Sequence, residues 1–138
     1  MGLAERRRIA TIKDAHIPRF QSELNTAVGF TLPFDIDVAS FPEDKAILDC
    51  YDSYYESYGP GLVVKVLKEI CKDDMGRDAV KAKFNKVVFQ NVAKSVDNSG
   101  DKSFEIKDQT LFVRESFYGY SDKLYGEDEF QSALEAVL

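Results

Sequence analysis

Tyrosine is the residue type whose placement in this chain most invites a chemical reading. All seven tyrosines fall in two short segments: Tyr51, Tyr54, Tyr55 and Tyr58, then Tyr118, Tyr120 and Tyr125. A tyrosine joins an apolar ring to a hydroxyl that prefers water, which suits it to contact surfaces. Ile47, Tyr51, Tyr54 and Tyr58 recur at spacings of four, three and four, so they mark the inner face of a helix with hydroxyls at its rim. Tyr55 lies about 100° round from Tyr54 on such a helix, and the four rings then span a face too wide to bury whole. If the second segment folds beside the first, Tyr54, Tyr55, Tyr58, Tyr118, Tyr120 and Tyr125 form a contact patch.

Three carboxylates are the candidates for acid–base work. Asp35 and Asp37 share one face of a strand whose other face is Phe34, Ile36 and Val38, so the pair is expected to face water. Glu115 is the odd one, because alternation places it with Leu111, Val113 and Phe117 on a buried face. Burial there would raise its pKa toward the range of a general acid or base. A carboxylate-dependent enzyme with a tyrosine-lined pocket is therefore the alternative reading.

Other chemistries find little to work with. His16 is the one histidine, and no Gly-x-Ser-x-Gly elbow occurs. Cys50 and Cys71 sit on apolar stripes, as reduced core thiols do. Zinc wants clustered Cys and His. The stretch Asp97–Asp101 fails as a calcium loop: with Gly100 at its sixth position, Ile106 falls where a bidentate Glu is needed. Gly59-Pro60-Gly61 lacks the Lys and Ser/Thr of a phosphate loop. No metal or cofactor is implied.

These residues need elements to hold them. Ile9, Ile12, His16, Phe20 and Leu24 describe a helix over 3–28, with a kink or break near Pro18 and a stop at Gly29. Residues 30–41 alternate as a strand. Ser40 or Pro42 opens the tyrosine helix, which stops at Tyr58-Gly59-Pro60-Gly61. Further helices are expected over about Leu62–Asp73 and Gly76–Phe84. Lys86–Val92, then Phe104 with Ile106, then Leu111 to Phe117 read as strands, with turns at Asp97–Asp101 and Asp108-Gln109. A last helix starts at Glu127. The expected class is α+β: N-terminal helices and a C-terminal helix on a small antiparallel sheet of three to four strands, one domain over 1–138.

The chain has 138 residues, 44% of them hydrophobic, which is enough for one sizeable core without staples. Its formal net charge of −6 argues against nucleic acid as the partner. Charge runs in blocks: net +2 over 1–28, −6 over 29–62, +4 over 63–94 and −6 over 95–138. Lys65, Lys68 and Lys72 share one helix face, the polar side opposite Val63, Val66, Leu67 and Ile70. No apolar run is long enough to span a membrane and no secretory leader or myristoylation pattern opens the chain, so a reducing cytoplasm is the expected location. These features point to a small non-catalytic interaction module or homodimer, in one version an acidic inhibitor of a basic partner whose negative patch lies in 29–62.

Overall fold

The computed structural model describes residues 2–95, 97–118 and 121–138. Helices α1 (Leu3–Thr11) and α2 (Ile17–Val28) are joined by a π-helical turn over Ile12–His16 rather than by a break. Pro18 has no amide to donate and its ring crowds the carbonyl one turn earlier, so the helix widens ahead of it, with Ile17 N–H reaching the Ile12 carbonyl. Gly29 ends α2 at φ 83°, the left-handed conformation that glycine adopts without a Cβ penalty.

The next segment pairs as a strand only over β1 (Phe34–Ile36), followed by a 3₁₀ turn at Val38–Ser40. Helix α3 (Lys45–Tyr54) starts later than Ser40 or Pro42, because Asp44 acts as its cap, its carboxylate accepting the Ile47 N–H at 3.1 Å. Helix α4 (Pro60–Ile70) starts two residues before Leu62, since Pro60 fits a first turn whose amide would be unpaired anyway. Gly61 is obligatory there: a Cβ would lie 2.1 Å from the Glu56 carbonyl oxygen. Helix α5 (Asp74–Lys83) is capped by Asp73, and α6 (Glu127–Glu135) closes the described chain.

Strands β2 (Lys86–Asn91), β3 (Ser103–Lys107) and β4 (Thr110–Glu115) join β1 in a four-stranded sheet of order β1-β2-β4-β3. The class is α+β with a small sheet, but the sheet is mixed rather than antiparallel. Only the β3–β4 hairpin is antiparallel, and β1, β2 and β4 run parallel. In sequence β3 follows β2 but lies on the far side of β4, and the Asp108-Gln109 turn returns β4 into the gap between them. The two turn residues have φ of 52° and 60°, the doubly positive pattern of a tight hairpin turn.

One face of this sheet is the floor of the core. Phe34, Ile36, Val87, Phe89, Leu111 and Val113 are buried there with Phe20 and Leu24 of α2, Ile47 and Tyr51 of α3, Val66 and Leu67 of α4, and Phe130 of α6. Each such large side chain contributes about 1.5–3 kcal/mol relative to exposure. The opposite face alternates out of this core. No helix among the described residues is long and apolar enough to cross a membrane.

Candidate functional site

The π turn sets the position of His16. Its ring stacks on Tyr55 with centroids 4.4 Å apart, and its Nδ1 lies 2.9 Å from the hydroxyl of Tyr51, whose side chain is fully buried. Burial holds the imidazole below its ordinary pKa, and burial also pushes the Tyr51 phenol up. Both shifts favour the uncharged forms, and the direction of the hydrogen bond between them follows the tautomer of the imidazole. Arg8, Thr11, Asp52, His16 and Tyr55 line a cleft of about 310 Å³, and the Arg8 guanidinium is held by Asp49 at 2.9 Å and by Asp52. The sequence offered one signal for this cluster, the closeness of His16 to Pro18, and nothing that pairs His16 with Tyr55.

The tyrosines divide. Tyr51 and Tyr55 stack with each other, and Tyr54 meets Tyr58 edge to face at 5.6 Å. Tyr54 is 36% exposed, while Tyr55 and Tyr58 are half-buried. The second segment does approach α3: Phe117 packs on Tyr51 at 5.2 Å, and Tyr118 is half-buried against the core. Tyr125 belongs to another aromatic group, buried against Phe104 and Phe130. Tyr120 lies outside the described residues.

Glu115 is where strand alternation places it, buried at 1% exposure at the end of β4. Its carboxylate accepts the Tyr125 N–H, and burial pushes its pKa up to about 8. Over it, Lys102 reaches the Leu124 carbonyl at 3.2 Å and Glu129 at 2.8 Å, and lies above the Tyr125 ring. The group lines neither the His16 cleft nor the clefts beside β1, so its visible role is to tie the chain entering α6 to the end of the sheet.

Asp35 and Asp37 sit on the outer side of the sheet, half-buried, and both line a cleft of about 430 Å³ with Lys13. A polar chain crosses that outer face. Gln90 donates to Asp37 at 3.0 Å, Arg114 donates to Gln90 at 2.9 Å and to Glu105 at 2.9 Å, and the guanidinium stacks on Phe112. Val88 and Phe112 are cross-strand neighbours at the middle of the face and stand outside the core. Both are half-buried rather than part of the core.

The charge blocks meet in space. Arg6 pairs with Glu43, Arg8 with Asp49 and Asp52, and Arg19 with Glu56, so the basic N-terminal helices neutralise much of the acidic 29–62 segment. On the basic helices, Lys65 pairs with Glu127 and Lys72 with Glu69. Comparison with family models, with curated proteins and with solved structures finds no match for the chain.

Proposed function

We propose that the chain is a non-catalytic interaction module that associates with a second copy through the outer face of its sheet. The observation that carries this is the outer side of a largely parallel ladder, with the half-buried Val88 and Phe112 at its centre and outside the core cluster. Parallel strands in folded proteins are generally covered on both faces.

The face is self-complementary at its centre. A two-fold axis running along the strands between β2 and β4, in the plane of contact, sets β2 of one copy on β4 of the other. It then lays Val88 on Phe112 and Gln90 on Arg114, each contact occurring twice, as an isologous interface requires. At the rim the same operation brings Asp35 toward Glu105, a like-charge contact that weakens the pair. The face is small. Four strands about 4.8 Å apart, with five residues at about 3.3 Å each, measure roughly 19 by 17 Å. A standard interface takes about 800 Å² from each partner, so a face this small is expected to associate weakly, and we place its dissociation constant at ~100 μM.

Sedimentation velocity across protein concentrations tests this. A monomer–dimer equilibrium that Phe112→Asp abolishes, with the circular dichroism spectrum retained, is the expected result. A wild-type chain that stays monomeric at about 500 μM, several times that dissociation constant, overturns it.

A further inference from the structure

The carboxyl ends of β1, β2 and β4 open on a cleft of about 330 Å³, lined by Asp37, Ser40, Gln90, Asn91, Lys94 and Arg114 among others. We propose that this cleft binds a small zwitterion of the α-amino-acid class, its ammonium on Asp37 and its carboxylate between Arg114 and Lys94. This site shares Gln90 and Arg114 with the face proposed for self-association, so a second copy and the zwitterion compete for those two side chains.

Position is the first support. In open sheets with parallel strands, ligands lodge outside the carboxyl ends, where the connecting segments diverge. Here the floor is rigid. Asn91, 2% exposed, donates to the Ser40 and Ala93 carbonyls and accepts the Ala93 and Phe117 amides, while the Ser40 hydroxyl accepts the Asn91 N–H. These groups are saturated by one another and hold the walls in place.

The charged groups on the rim are fixed but not used up. The Gln90 amide lies between Asp37 and Arg114, donating to one at 3.0 Å and accepting from the other at 2.9 Å. A carboxylate and a guanidinium are thereby held one amide apart. One oxygen of Asp37 has no partner among the described residues, and a guanidinium has five N–H donors, of which Arg114 commits one to Gln90 and one to Glu105. Lys94 is exposed and has no counter-ion among the described residues.

The mixed signs select the ligand. Two cations alone would suit phosphate, but the Asp37 carboxylate beside them repels a multiply charged anion. A molecule with an ammonium and a carboxylate one carbon apart matches the spacing that Gln90 sets and satisfies all three charges. Ala39 and Val92, the apolar part of the lining, leave room for a short side chain. An open site of this size implies affinity in the millimolar range.

The test is an amide-resolved NMR titration of the full chain with glycine, run beside acetate, methylammonium and inorganic phosphate. Glycine is expected to give saturable shifts at Asn91, Val92 and Lys94, with at least tenfold weaker binding of the other three probes. Asp37→Asn and Lys94→Ala change no buried packing, and each should weaken glycine about tenfold. No saturable glycine shift up to about 50 mM, well above a millimolar dissociation constant, overturns the proposal. So does phosphate binding as tightly as glycine, or glycine binding unchanged in both variants.

Discussion

A carboxyl group at the last position of a strand's buried face makes folding depend on pH. Glu115 holds its proton in the folded chain up to about pH 8, whereas its ordinary value is 4.5. Between those values the native state carries a proton that the unfolded chain has released. Stability is therefore full below about 4.5, falls as pH rises through the window, and reaches its floor above about 8. The loss is on the order of a few kcal/mol. Lys102 favours the charged form and Glu129 opposes it. Glu115→Gln keeps the shape and the acceptor for Tyr125 N–H but cannot ionise. Urea unfolding at pH 5 and pH 9 should show the wild type losing more stability than the variant; equal losses would remove Glu115 as the cause. His16 acts with the opposite sign, since its folded pKa is lowered and the unfolded chain gains the proton first as pH falls below about 6.5. The burial of Glu115 is legible in the sequence because a period of two is enough to place it with Leu111 and Val113. The His16–Tyr55 stack is not, since it depends on an extra residue in a helical turn and on two helices meeting 39 positions apart.

At the scale of elements, apolar periodicity locates helices and strands, and capping chemistry sets where they start. The differences at α3, α4 and α5 come from Asp44, Pro60 and Asp73, each an N-terminal device that periodicity does not see. Strand orientation is less legible. The turn at Asp108-Gln109 correctly implies an antiparallel hairpin, but local sequence does not say that β4 inserts between β3 and β2, because that order is decided by the shared core of Val87, Phe89, Leu111 and Val113. The same turn carries a local cost. Both central residues have positive φ, and Gln109 pays for a left-handed conformation that glycine takes freely. Its side chain recovers only an exposed hydrogen bond from Asn85 at 3.0 Å. Gln109→Gly is expected to stabilise the fold by about 0.5–1 kcal/mol, read as a rise in the denaturation midpoint at unchanged slope. A lower midpoint would show that the Asn85 contact outweighs the backbone.

For the whole molecule, the alternation of charge along the chain becomes pairing in space, which leaves the outer sheet face with few uncompensated charges and an apolar centre. Arg6, Arg8 and Arg19 answer the acidic 29–62 segment, Lys65 answers Glu127, and Arg114 is shared between Glu105 and the Gln90–Asp37 link. A folded copy that binds a second folded copy is stabilised by mass action, so thermal stability must depend on protein concentration. With a dissociation constant near 100 μM, raising the concentration from about 5 to about 500 μM adds roughly 0.5–1 kcal/mol, or about 2–4 °C for a chain of this length. Salt discriminates the geometry further. The apolar centre of Val88 on Phe112 is insensitive to ionic strength, while the Asp35–Glu105 approach at the rim is repulsive and exposed. Screening it should strengthen the pair, so the concentration-dependent rise grows between 0.05 and about 0.5 M NaCl. Phe112→Asp should flatten the dependence at every salt concentration. A wild-type melting temperature that is flat with concentration would overturn self-association, and a rise that shrinks with salt would mean that the face meets its copy in another register.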